Sequence, residues 1–472
     1  MSCSWILPAP ITSRRPATSF LRFTERFLPL FDFDYLLTTH LLSSCLQEGP
    51  GDILVFLTGQ EEVDDLVRRI EDYPDQKLAQ QLLTLPIYAG LPNDQQKVVF
   101  ERPPKGMRKV VVATNIAESS ITIEGIVYVI DSGFVKIRAY NPKTGTDTLV
   151  VVPTSKASAQ QRAGRAGRVR PGKAFRLFTE EDFLKLPTNS IPEIQRSSLS
   201  PVILQLKALG IDNIARFDFM SPPPANVLIR ALEHLYALGA LNDRGLLTSD
   251  IGMKIAELPF DPPVSRMILA SGELGCSEEI ASIAAMMGVQ NAWVNPSSLR
   301  KKADEAKLEF GARQGDHITL LNGTRQSPPL IPSFLTHPFF LVVYANFVAN
   351  KESSKWCYEN FLNYRSLQRA ITVRKQVVGF MKRFKVPLVS CEGDVTLIQK
   401  CIAVGFFANA ARRSPDGQYR TLRDSLVLAI HPTSILFNYS PEWVVFQEVV
   451  ETTNIFMRDL TVIEQMWLPE IA

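Results

Sequence analysis

Between Asp52 and Phe178, short apolar runs rich in β-branched residues alternate with polar, helix-patterned stretches. DILVFLT (from Asp52) precedes a charged segment with a helical repeat, LPIYAG (from Leu85) precedes a short helix, and KVVVATN (from Lys109) and IVYVID (from Ile126) follow. Such alternation predicts a parallel sheet with helices on both faces. Val135 to Val152, with Asn141-Pro-Lys-Thr-Gly145 at its centre, predicts a β-hairpin projecting from this domain, followed by a helix from Ser155 and the strand KAFRLF. After Pro187 helical patterns dominate. PVILQLKALG and NVLIRALEHLYALGAL, punctuated by Pro222 to Pro224 and followed by Leu246-Leu247-Thr248, suggest a winged helix. A second helical block runs from Cys276 to about Arg374. From Leu397 onward, CIAVGFFANAA, YRTLR, LVLAIHP and WVVFQEVV read as strands of a small β-barrel.

Composition narrows the classes without naming one. At 472 residues and 46% hydrophobic content, the chain can bury several cores. Its longest apolar runs, such as Phe339 to Tyr344, fall short of the ~18 residues that a membrane span needs. The first residues show no secretory signal pattern, and six scattered cysteines without a CxxC pair fit reduced thiols, so an intracellular soluble protein with no metal site is expected. A net charge of +3 is too small to establish nucleic-acid binding.

The sharpest chemistry lies in Gln160-Gln161-Arg162-Ala163-Gly164-Arg165-Ala166-Gly167-Arg168. In an α-helix, Gln161, Arg165 and Arg168 stand at i, i+4 and i+7 and share one face. A solvated basic helix face is the plain alternative. Against it stand the two glycines, each costing about 1 kcal/mol relative to alanine in a helix. Glycine beside guanidinium groups lets a backbone approach a phosphate closely, and planar arginine forks bind phosphoryl oxygens bidentately.

QQRAGRAGR, FLTGQEE (Phe56 to Glu62) and ATNIAESSIT (Ala113 to Thr122), in this order and spacing, resemble motifs VI, IV and V of DEAH-box RNA helicases. The resemblance covers about Tyr35 to Ala472 and is nearest to the subgroup associated with pre-mRNA splicing. It implies an α/β RecA-like domain over residues 35–184, without a P-loop of its own, and a winged helix over 185–255. A helical, ratchet-like bundle over 256–375 and an OB-like β-barrel over 376–472 follow, with 1–34 outside the family pattern.

It also implies roles. Arg165 and Arg168 would be arginine fingers on the γ-phosphate of ATP, and Gln161 would orient the attacking water. Phe100 would stack on adenine, with a core aromatic as the plain alternative; Glu124 would sit near the ribose and Ser120 would sense the nucleotide state. Thr114, Thr122 and the backbone of Gly59 and Gln60 would grip RNA phosphates, and the hairpin resembles the family's strand-separating hairpin. Tyr419, Arg420, His431 and Arg458 are candidate RNA contacts in the barrel, where surface and packing roles compete equally. RNA, G-patch or spliceosomal proteins and a nuclear location follow from the same resemblance.

ATP with Mg²⁺ would bind only with a first RecA-like domain, expected ahead of Tyr35, that carries the Gly-rich loop and the acidic pair. Two look-alikes are rejected. Gly167 to Ala174 has GxxxxGK spacing, but Ala174 replaces the metal-binding hydroxyl and Pro171 removes an amide. Asp304-Glu305-Ala306-Lys307 imitates the family's acidic box within a charged helical stretch. Residues 323–343, with four prolines and an apolar tail, interrupt the helical block and are expected to loop out of it. Two functions thus compete: an ATP-driven RNA motor, or an inert module that binds RNA or protein.

Overall fold

The computed structural model describes residues 2–5 (backbone only), 49–73, 79–91, 93–119, 121–142, 144–168, 170–289, 292–294, 300–319, 343–451 and 454–471. The interruption at 323–343 lies outside these apart from Val343, which opens a helix to Ala349. The chain divides into two compact units, one of residues 1–137 and 150–191, the other of residues 138–149 and 192–472.

The first unit is the predicted α/β domain. Its strands are β1 (Ser2–Trp5), β2 (Asp52–Phe56), β3 (Leu82–Ile87), β4 (Arg108–Ala113), β5 (Ile126–Asp131) and β8 (Lys173–Arg176); β6 (Phe134–Asn141) and β7 (Thr146–Pro153) form the hairpin. The six-stranded sheet is parallel throughout, in the order β1-β8-β5-β2-β4-β3. β2 and β5 are buried along their whole length, as apolar runs covered on both faces should be. β3 forms one edge. Ile87 C=O accepts from Thr114 N–H and Gln81 C=O from Arg108 N–H, so odd-numbered β3 residues face β4 and Pro86 faces outward. One face is covered by the helix Gln60–Glu71, the other by Lys156–Gly164. The expected GxxxxGK look-alike leads into strand β8, not into a helix.

In the second unit, helices Ser200–Ala208, Ala225–Ala237 and Gly252–Glu257 surround one core, with a Leu241–Leu247 bridge as the wing. The bundle follows, from Pro262–Ala270 through Ser277–Met287 to Tyr364–Arg383 and Val395–Phe406. The last two correct the sequence reading. Tyr364–Arg383 crosses the expected boundary at 375, and CIAVGFF, expected as a strand, is helical to Phe406. Asp394 caps this helix through Thr396 N–H, and its apolar run is buried on several sides, a pattern periodicity alone cannot tell from a strand. Asp304 to Lys307 lies within the helix Arg300–Glu309, as expected.

Strands β9 (Ala410–Arg413), β10 (Tyr419–Thr421), β11 (Val427–Ile430), β12 (Trp443–Glu451) and β13 (Ile455–Val462) close into a barrel in the order β10-β11-β13-β12-β9. Asp316 fastens the bundle to it. Its buried carboxylate accepts from Ser434 Oγ at 2.6 Å, Ile435 N–H at 2.9 Å and Leu460 N–H at 3.0 Å. The hairpin tip clusters with this unit: Tyr140 N–H donates to Arg196 C=O at 2.7 Å, and Arg138 pairs with Asp147 at 3.0 Å. Gly145, at φ +71°, lies against the Arg230 guanidinium, which a Cβ would strike. Arg230 in turn reaches Asp424 of the barrel at 3.2 Å.

Two histidines, buried His317 and half-buried His234, are expected to make this unit acid-sensitive. Burial pushes the pKa of His234 down to about 4, helped by Arg230 and Arg423, and burial pushes His317 to about 4 against the opposing charge of Asp316. Both are neutral in the fold and regain the ordinary value of ~6.5 when unfolded. Their contribution is present above pH 6.5 and is lost as pH falls toward 4, by roughly 3 kcal/mol each. The melting temperature should therefore drop between pH 6.5 and 4, and replacing both histidines with asparagine should flatten that drop. An equally steep drop in the double variant would show that other groups carry it.

Candidate functional site

The arginine segment is held by a buried ion pair that the sequence reading missed. Arg162 is 1% exposed, and its guanidinium donates to Asp131 Oδ1 at 2.8 Å, Glu118 Oε2 at 3.0 Å and Phe134 C=O at 3.0 Å. It also lies 5.1 Å from the centre of the Phe56 ring. Burial works against its charge, but Asp131 and Glu118 outweigh burial and leave its pKa raised. The signal for it was local. Arg162 sits beside buried Ala159, Ala163 and Ala166, and an arginine among small buried residues needs carboxylate partners.

The expected face shared by Gln161, Arg165 and Arg168 does not form as drawn. The α-helix ends at Gly164, and Arg165–Gly167 tighten into a 3₁₀ turn, which advances each residue by about 120° rather than 100°. Arg165 is buried and donates to the carbonyls of Glu118 and Ile121; burial, then the Arg168 charge, lowers its pKa. Gln161 and Arg168 are exposed. Arg165 and Arg168 line a small depression with Ile121, Ile123 and Ile126. A Cβ on Gly164 would meet nothing within 4 Å, so internal packing does not require this glycine.

On the nucleotide side, Phe100 is 48% exposed, which sets aside the core reading, and Glu124 is exposed. Ser120 lies outside the described residues.

The RNA candidates divide. Gly59 caps the helix Gln60–Glu71 with extended backbone, where Thr58 N–H and Oγ bond the Glu62 carboxylate at 3.0 and 2.6 Å. Thr114 follows β4 at the same sheet edge, since Leu57 N–H donates to Ala113 C=O at 2.8 Å. Lys136, unnoticed in the sequence, brings its ammonium to 3.9 Å from where a Gly59 Cβ would stand. Thr122 stands elsewhere, its hydroxyl accepting from Arg168.

In the barrel, Tyr419 is corrected. Its ring is 3% exposed within the core, and its hydroxyl donates to Pro441 C=O, so packing claims it; burial pushes its pKa up to about 12. Arg420 is exposed and Arg458 partly so, and both are paired, with Asp416 at 3.1 Å and Glu448 at 3.6 Å. Such exposed pairs are weak and exchange readily for a phosphate. His431 is half-buried, with its ring edge-on to Phe456 at 5.5 Å and bonded to Thr433.

Among the described residues no helix is long and apolar enough to cross a membrane. Residues 35–170 match the helicase conserved C-terminal domain, 231–260 the winged-helix and 261–320 the ratchet-like helicase-associated (HA2) domains, and 398–472 an oligonucleotide/oligosaccharide-binding (OB) fold. The chain is 52% identical over 430 residues to the "Probable ATP-dependent RNA helicase DHX35" of Homo sapiens, covering 90% of this chain and 58% of that protein. It is 44% identical over 433 residues to the "Pre-mRNA-splicing factor ATP-dependent RNA helicase prp22" of Schizosaccharomyces pombe, covering 90% of this chain and 35% of that protein. The chain thus spans less than two thirds of these relatives. Its motif segments, domain order and identities make it a member of the DEAH-box RNA helicase family, comprising the second RecA-like domain and the winged-helix, ratchet-like and OB-fold domains.

Proposed function

We propose that this chain is the arginine-bearing half of an ATP-dependent RNA motor that unwinds or remodels RNA in pre-mRNA splicing, a role prp22 carries in its name. The observation that supports it most is the arginine segment. Two guanidinium groups flank a helix end whose glycine leaves open space outside, as phosphoryl oxygens require. Arg168 would neutralise charge developing on the transferred phosphoryl group, Arg165 would hold the loop that presents it, and Gln161 would orient the attacking water. Phe100 would stack on adenine and Glu124 would meet the ribose. These residues suit the phosphates and base of a nucleotide, while Mg²⁺ would be held by a P-loop-bearing domain.

On the RNA side, Gly59, Gln60, Thr114 and Lys136 would hold phosphates without reading bases, and Arg420, His431 and Arg458 would add contacts from the barrel. A G-patch or spliceosomal protein would be the activating partner, acting in the nucleus. A second reading, an inert RNA- or protein-binding module, is supported by one observation. The GxxxxGK string leads into strand β8 and not into a helix, so it offers the arginines no phosphate cradle.

The purified chain should hydrolyse ATP negligibly, and adding a P-loop-bearing first RecA-like domain should restore RNA-stimulated turnover. In that reconstituted motor Arg168→Ala should lower the rate by roughly 10³ or more. Steady-state assays decide; full turnover in the Arg168→Ala protein would leave only the binding module.

Gly164→Ala should raise the melting temperature, since it relieves ~0.5–1 kcal/mol of helix cost in open space, yet weaken ATP-dependent turnover by crowding the phosphates. A variant that is both more stable and fully active would remove the glycine from the phosphate site. RNA affinity should fall steeply with salt and ignore base sequence, and Lys136→Ala should reduce the logarithmic salt slope by about 0.7, the loss of one single-strand phosphate contact. Filter binding from 50 to 300 mM salt measures it, and an unchanged slope would exclude Lys136.

A further inference from the structure

We infer that Lys109 is a positioning residue for Phe100, its sealed ammonium pinning the backbone on both sides of that ring. Lys109 is 1% exposed, on β4. Its Nζ donates to Val99 C=O at 2.8 Å and to Glu101 C=O at 3.0 Å, the two carbonyls that flank Phe100. Its own N–H donates to Asp52 Oδ1 at 3.1 Å, which fixes the stem. Val99 is fully buried while Phe100 is half exposed, so the chain turns outward between two fastened carbonyls.

A buried ammonium is an expensive way to fill this volume, because desolvation disfavours its charge and a methionine has a similar shape. Burial does push the pKa of Lys109 down, and Asp52 and Glu124 oppose that shift. Both carbonyl bonds are spent on the turn that bears one exposed aromatic ring. A half-exposed phenylalanine on a loose turn would fold back onto the surface. Held from beneath, it stays presented as a flat face with little ordering left for a base to impose.

This inference rests on the reading of Phe100 as the adenine platform, and the test separates the two. Hydrogen exchange at residues 98–102 is measured for the full chain, and equilibrium binding of ATP and UTP for the chain reconstituted with a P-loop-bearing first RecA-like domain, each with the native sequence and with Lys109→Met, Lys109→Arg and Phe100→Ala. Lys109→Met should speed exchange in that segment and weaken ATP about fivefold while leaving UTP unchanged; Lys109→Arg should recover most of both. Unaltered exchange in Lys109→Met, or equal weakening of ATP and UTP, overturns the positioning role. If Phe100→Ala weakens ATP selectively and Lys109→Met does not, the platform stands and the inference falls. Equal losses for ATP and UTP in Phe100→Ala remove the platform itself, and the inference with it. Should Lys109→Met fail to fold, Lys109→Gln replaces it. With one reachable carbonyl, it should show the same selective loss at smaller size, and no loss overturns the role.

Discussion

The geometry of the arginine segment depends on one buried ion pair. Arg162 lies inside the α/β domain with a charge that burial disfavours, and only the joint presence of Asp131 and Glu118 makes that tolerable. Because those partners come from the end of β5 and from the segment after β4, and Phe134 C=O from the start of the hairpin, three separate parts of the chain are fixed to one side chain. Arg165 begins the very next turn and binds the same Glu118 segment through its carbonyl. Arg168 then meets Thr122, four residues before β5 begins. Arg165 and Arg168 thus inherit their positions from Arg162, and breaking one partner of such a pair costs about 3–5 kcal/mol in stability before any chemistry is considered.

The parallel strands of the α/β half were legible because they are runs of β-branched residues bounded by turn residues; their order was not, nor was β1, which joins the sheet from the segment set outside the domain. The barrel was legible for the same reason, except at its entrance and at β13, which the sequence reading did not pick out. CIAVGFFANAA is equally apolar as strand or helix, and what decides it is the cap at Asp394 and the packing of the helix against Pro262–Ala270, neither of which a local pattern shows. For the site, the motif segments single out candidate residues, but not which way they face. Arg165 looks like Arg168 on paper, yet a 3₁₀ turn sends one inward. Tyr419 was an RNA candidate with packing as an equal alternative, and strand alternation beside exposed Arg420 places it in the core.

The hairpin illustrates how charge organises the second unit. Its tip is joined to the winged-helix segment by backbone bonds and to the helix Ala225–Ala237 through Arg230, while Arg423 of the barrel reaches Glu233 on that helix at 2.8 Å. Single exposed ion pairs contribute little. Here the pairs share members and enclose a glycine backbone, so loss of Arg230 would release contacts to both the hairpin tip and the barrel. A tip held this way is a fixed element of its unit, and strand separation by it would require strands to be drawn against it.

Pro86 has a consequence for the behaviour of the α/β domain in concentrated solution. A flat parallel sheet with an open edge invites a second chain to add a strand, which is how many β-rich proteins begin to aggregate. β3 offers its outward amides at even-numbered positions, and Pro86 removes one of them close to the end where the helix-bearing loops emerge. An incoming strand would find a broken ladder and a ring in its path. The barrel avoids the same hazard by closing on itself, so the chain uses two different means to stay unpaired at its edges: a missing proton in one sheet and a missing edge in the other.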